Sequence, residues 1–281
     1  MRRAAGVGIA LAAMIALSPT TSFGERGHAL VTTNDSQIDV TVDGGGPAIV
    51  LLPSLSRDSD DFDALAHQLA AAGFRVLRPQ PRGVGRSSGP MIDVTLHDLA
   101  NDVAAVIRQL GGDQAIVVGH AYGNWVARMT AVDYPKLVRG VVIAAAAAKQ
   151  IPTELSAAVT AAGNLSLPDA DRLAALRFAF FAPGHDPAVW LTGWHPEIRD
   201  SQRAAALATP QAEWWSAGKA PLLELQAALD PFKPPEKRTE MRDEFGARVT
   251  VVVIEDASHA LIPEQPAAVA QAIAGWARGL K

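Results

Sequence analysis

Gly119-His120-Ala121-Tyr122-Gly123 has the spacing of Gly-x-Ser-x-Gly, the turn that lifts a nucleophilic serine above a sheet, but carries alanine at its centre. A serine there would attack a carbonyl carbon and form a covalent intermediate, splitting one hard step into two easier ones. The Ala121 methyl supplies no oxygen for that attack. The turn also demands a strained left-handed central residue, with glycines on either side that let strand and helix approach closely. Because the chain has no cysteine, a thiolate nucleophile and cysteine metal ligands are excluded as well.

The flanking sequence supplies the strand and helix that such a turn requires. Ile116-Val117-Val118 reads as a buried strand, and Asn124 through Asp133 has the spacing of an amphipathic helix. The same alternation runs along the chain. Ile38 to Val42 alternates apolar and polar residues, Ala48 to Leu52 is a continuous apolar run, and Asp63 to Ala72 is helical in spacing. Arg75 to Leu77, Ala115 to Val118, Val138 to Ala145, Pro221 to Gln226 and Val249 to Ile254 read as strands, with a helix over Leu96 to Leu110. Strands and helices in this order predict an α/β fold: a mostly parallel twisted sheet with helices on both faces.

The segment 150–219 breaks the pattern and reads as a helical cap or lid between two parts of the core, 25–149 and 220–281. It holds Phe178, Phe180, Phe181, Trp190, Trp194, Trp214 and Trp215. Two or three of these are expected to reach an apolar substrate cleft, the rest gluing cap to core.

With 281 residues, 49% hydrophobic and 19% charged, the chain can bury a large core. Residues 1–24 are set apart: Arg2 and Arg3 precede an uncharged stretch from Ala4 to Leu17 and a small-residue region ending at Gly24, the pattern of a secretory leader. The apolar part is short for a membrane span. Cleavage after Gly24 would remove two of 25 basic residues and no acid, leaving 23 against 29, a net charge of −6. The expectation is a soluble periplasmic or secreted protein that acts on a small molecule. No basic patch points to nucleic acid. No glycine-rich phosphate cradle or metal-ligand cluster implies a cofactor or metal.

Three further segments carry a family resemblance. Leu51-Leu52-Pro53-Ser54-Leu55 stands where a strand would end in His-Gly-x, Pro79 through Ser87 resembles an Asp-x-Arg-Gly-x-Gly-x-Ser loop, and Ala257-Ser258-His259 stands for a terminal Gly-His. With the 119–123 turn, the chain resembles the α/β-hydrolase superfamily, in the branch with a helical cap after the sixth strand, from about Val40 to Leu280. That resemblance implies the α/β-hydrolase fold. It also implies Asp230 as catalytic acid, in the turn after the Leu222 to Gln226 strand, and His259 as base, with Ala121 in the nucleophile position. By the same resemblance the backbone N–H groups of Leu55 and Tyr122 are the oxyanion donors. His120, His185 and His195 lack such context and are expected at the surface or in the cap.

Removing the serine of a serine protease costs about a millionfold in turnover, so four explanations stand side by side. The His259-Asp230 pair activates water for direct hydrolysis of a small apolar ester, lactone or related carbonyl compound. Another hydroxyl attacks, with Ser54, Ser56 and Tyr122 nearest along the motifs. Alanine was introduced in place of serine in an ordinary esterase. Or the chain is a ligand-binding pseudo-hydrolase that performs no chemistry.

Overall fold

The continuous apolar runs form the middle of one sheet. The computed structural model describes residues 26–149 and 153–280, so the expected leader lies outside the described residues. Eight strands are present among them: β1 (Gly27–Thr32), β2 (Gln37–Asp43), β3 (Ala48–Leu52), β4 (Arg75–Pro79), β5 (Ala115–His120), β6 (Val138–Ala144), β7 (Leu222–Ala227) and β8 (Val249–Ile254). Their spatial order is β1-β2-β4-β3-β5-β6-β7-β8. β2 runs antiparallel to both of its neighbours. From β4 to β8 every pairing is parallel.

Parallel strands covered on both faces need apolar side chains on both, which is why β3, β5 and β7 are buried along their whole length. One face is covered by α2 (Leu96–Val106) and α3 (Gly123–Asp133), through residues such as Val103, Val126 and Met129. The other is covered by α1 (Asp63–Ala71) and α10 (Pro266–Gly279), through Leu65, Leu69, Val269 and Ile273. Each such aliphatic side chain contributes about 1.5–3 kcal/mol on burial. Thr95 and Asp98 close a reciprocal capping box at the start of α2. The helix ends in a wider turn over Ile107–Gly111 rather than running on as α-helix to Leu110.

β1 was not foreseen. Its sequence, Gly-His-Ala-Leu-Val-Thr, buries only Val31, because the strand lies at the sheet's edge and pairs on one side alone. β4 also runs two residues past the expected Leu77, to Pro79.

Among the described residues four α-helices lie between β6 and β7: α4 (Thr153–Ala162), α5 (Asp169–Ala179), α6 (Pro196–Ala208) and α7 (Gln211–Trp214). Leu155, Leu176, Phe180, Phe181, Trp190 and Trp194 form a separate apolar cluster there, which continues into Phe232 and Ala260 of the core loops. The joint is the fully buried Arg57, in the loop after β3. Its guanidinium lies 4.8 Å from the rings of both Trp190 and Trp194, pairs with Asp61 and donates to the Thr192 carbonyl. Short α8 (Glu240–Phe245) and α9 (Leu261–Glu264) complete the helices.

A second tie between insertion and core is ionic. His97 on α2 meets Asp133 at 2.8 Å and Glu213 of α7 at 3.0 Å. Partial burial opposes protonation of His97, but the two carboxylates outweigh it and raise its pKa above 6.5. A histidine raised in the folded state stabilises below its unfolded pKa, and that contribution disappears as pH rises through the folded value. The melting temperature of His97→Gln is therefore expected to fall below that of the parent near about pH 6 and to match it above about pH 9. Thermal melts across that range check this.

Candidate active site

The turn after β5 is held by backbone atoms packed too closely for side chains. A Cβ on Gly119 would overlap the Gly123 carbonyl and the Asn124 nitrogen; one on Gly123 would overlap the Leu52 carbonyl oxygen at the end of β3. Between them Ala121 has φ 46°, the left-handed region, which costs an L-residue about 1–2 kcal/mol. The strain is held by Ala121 N–H donating to the Ala144 carbonyl at 3.0 Å and by Asn124 N–H donating to the Ala121 carbonyl at 3.1 Å. The Asn124 side-chain amide donates to the same carbonyl.

β7 and β8 deliver the other two groups. Asp230 and His259 are both buried, and His259 Nδ1 stands 3.0 Å from Asp230 Oδ2 and 3.2 Å from Oδ1. Phe232 N–H also donates to Oδ1, at 2.9 Å. A carboxylate only accepts, so Nδ1 carries the proton and Nε2 presents a lone pair. Among the described residues Nε2 has no hydrogen-bond partner, and His259 lines the same cleft as Ala121. Phe232, with its ring centroid 4.1 Å from that of His259, fixes the imidazole plane.

Leu55 and Tyr122 line this cleft too. Among the described residues neither backbone N–H finds an acceptor, so both remain available to a ligand. Gln202 of α6 steadies both: its side-chain oxygen accepts from Ser56 N–H at 2.8 Å, and its carbonyl accepts the Tyr122 hydroxyl at 3.0 Å. Ala121, Tyr122, Leu55 and His259 thus line one cleft, and Asp230, buried, meets the Nδ1 side of His259.

The alternative hydroxyls separate. Ser54 lines the cleft and Ser56 does not. Tyr122 is turned to Gln202, and burial pushes its hydroxyl pKa far up, against forming a phenolate.

The cleft has a volume of about 550 Å³. Four of the seven aromatic residues of the insertion line it, Phe180, Trp194, Trp214 and Trp215, where two or three were expected. Phe181 and Trp190 are buried in the insertion's own cluster, and Phe178 is exposed. The expectation for His120 is corrected: it is 1% exposed, at the end of β5. Its Nε2 donates to the His259 carbonyl at 2.8 Å, and burial, then the nearby His259, drive its pKa down to about 3. His185 and His195 do lie with the insertion, His185 bonding the Asp256 carbonyl and His195 meeting Asp58 and Glu197. Sequence reading missed Gln202, Asn124 and Arg128, polar residues inside helical stretches with no motif to mark them. Among the described residues no cluster of His, Asp or Glu is placed to hold a metal ion, and no helix is long and apolar enough to cross a membrane.

The strand order and the helices on both faces of the sheet agree with comparison to known proteins. A model of the Alpha/beta hydrolase family matches residues 49–272. The chain belongs to that family. Among curated members it is 33% identical over 105 residues to the 2-(acetamidomethylene)succinate hydrolase of Mesorhizobium japonicum, covering 37% of this chain and 37% of that one. It is 31% identical over 116 residues to an epoxide hydrolase of Caballeronia sordidicola, covering 39% of this chain and 35% of that one. These matches span little more than a third of the relatives' length. Among solved structures, a membrane phospholipase A described as a bacterial virulence factor superposes with a TM-score of 0.73 at 20% identity, covering 91% of this chain and 86% of that one. A thermophilic esterase from Thermogutta terrifontis, with malate bound, gives 0.70 at 22%, covering 92% and 99%. At such identities the likeness is one of fold.

The backbone contact beneath this hydrolase-family site has a measurable cost if disturbed. Gly123→Ala forces a methyl against the Leu52 carbonyl, and a loss of about 3 kcal/mol or more is expected in urea unfolding, because neither backbone can yield cheaply.

Proposed function

We propose that the protein hydrolyses a small ester, lactone or related carbonyl compound with water as the nucleophile, His259 as general base and Asp230 as its orienting partner. The observation that carries this reading is the His259–Asp230 pair, whose unpartnered Nε2 shares a cleft with the Ala121 turn and two unpaired backbone N–H groups. Water beside the Ala121 methyl gives its proton to Nε2 as its oxygen bonds to the carbonyl carbon. The carbonyl π electrons move to oxygen, and the Leu55 and Tyr122 N–H groups receive the charge. The C–O bond to the leaving group then breaks, and protonated His259 returns the proton to the departing alkoxide. Acid and alcohol result, with no covalent enzyme intermediate.

Magnitudes favour chemistry over mere residue of ancestry. A positioned general base contributes about 10²–10⁴-fold and each oxyanion donor about 10²–10³-fold, without the serine. The hydrolase names of the partial relatives support the reaction class. The missing hydroxyl favours a second reading, a binder without turnover, and the test separates the two. With a panel of aryl esters and lactones, His259→Ala is expected to reduce kcat by about 10²–10⁴-fold, and mass spectrometry is expected to find no acyl adduct during turnover. An adduct on Ser54, or a rate indifferent to His259→Ala, overturns the water mechanism. A parent with no turnover whose Ala121→Ser form is a fast esterase identifies a chain that lacks only its nucleophile.

A further inference from the structure

The charge around the cleft is one-sided. Arg128, Lys149 and Arg203 line it, and among the described residues no aspartate or glutamate does, in a chain whose formal net charge is −4. Lys149 is already paired with Glu244 at 2.7 Å. Arg203, on the exposed side of α6, has no carboxylate partner among the described residues.

Arg128 is the informative member. It projects from the middle of α3, is completely buried and makes no ion pair among the described residues. Nη1 donates to the Trp215 carbonyl at 3.2 Å, Nη2 reaches only the Met241 thioether at 3.4 Å, and Nε has no partner. The Nε–Nη2 edge of a guanidinium matches the two oxygens of a carboxylate. In Arg128 that edge faces no protein oxygen at hydrogen-bonding distance. Glu224, the nearby buried acid, lies 3.2 Å from Lys233 Nζ, and among the described residues it makes no hydrogen bond to Arg128. Trp215 and Trp214 lie over the guanidinium, with centroids at 4.4 and 5.6 Å. Burial, only partly opposed by the nearby charges of Glu224 and Glu244, lowers the Arg128 pKa to about 9.

We infer that the ligand of this cleft carries a carboxylate on a flat apolar body, with Arg128 receiving the carboxylate and Arg203 attracting it at the mouth. The inference rests on the cleft being the substrate site of the hydrolysis proposed above, and it narrows the substrate to an anionic one. Phe180, Trp194 and Trp214 provide the apolar walls. Since Trp214 and Trp215 cover the guanidinium, a carboxylate docks by moving an indole aside, and tryptophan fluorescence reads that movement. A carboxylate meets the planar, two-pronged edge through two parallel hydrogen bonds.

The test titrates the full chain with 4-phenylbutyrate and, separately, its neutral amide, following tryptophan emission. The carboxylate is expected to bind about tenfold more tightly than the amide, the size of one charge-assisted two-pronged contact. Arg128→Met should erase that preference while leaving amide affinity near its starting value. Arg203→Gln should weaken carboxylate binding by about threefold, an effect removed by high salt. Equal affinity of the two ligands for the parent chain overturns the inference, as does a preference that survives Arg128→Met in a variant of native circular dichroism. If Arg128→Met does not fold, the ligand pair on the parent and Arg203→Gln still decide. Binding is read without turnover, so carboxylate preference in a chain that hydrolyses nothing defeats the hydrolytic proposal alone. Hydrolysis with no such preference defeats this inference alone.

Discussion

Close contact between main-chain atoms at Gly119, Gly123 and the Leu52 carbonyl is the constraint from which the site follows. It brings the start of α3 against the end of β3, and with it the Tyr122 N–H and the Leu55 N–H to one cleft. It also forces Ala121 into a backbone conformation that an L-residue adopts only under compulsion. Side chains contribute little to this arrangement. The turn can therefore hold its shape whether or not residue 121 bears a hydroxyl.

Around that constraint the polar groups form a layered support. Asp230 orients His259 through Nδ1, Phe232 both donates to Asp230 and packs on the imidazole, and His120 holds the His259 main chain from below. His120 serves only as a neutral donor, because burial strongly disfavours its charged form. Two histidines in contact thus have different tasks, and their surroundings assign them. Gln202 plays a comparable part on the opposite side, linking α6 to the loop after β3 and to Tyr122.

Much of this was legible in the sequence wherever a physical requirement left a compositional mark. β3, β5 and β7 showed as unbroken apolar runs because both faces are covered. The 119–123 spacing was visible because only glycine fits the two flanking positions. Asp230 and His259 were marked by the family resemblance, which rests on their order after two strands, and the structure pairs them. β1 escaped because an edge strand with one buried residue has no apolar rhythm. His120 was misplaced because a polar residue at a strand's end looks the same in sequence whether it meets solvent or a buried carbonyl. Arg128 and Gln202 sit in helices whose facing partners come from elements far away in the chain, and no local pattern records that encounter.

The Arg57 joint has a consequence for how the molecule comes apart. When the inserted helices leave, the Arg57 guanidinium loses both indole faces and the Thr192 carbonyl and keeps only Asp61 and water. Peeling α4 and α5 from an intact sheet is thus the costly route, and loosening of that region is coupled to the opening of the loop after β3 that carries Leu55. Proteolytic nicking within the inserted helices and loss of the cleft floor should then occur as one event, so an intact floor certifies an intact roof.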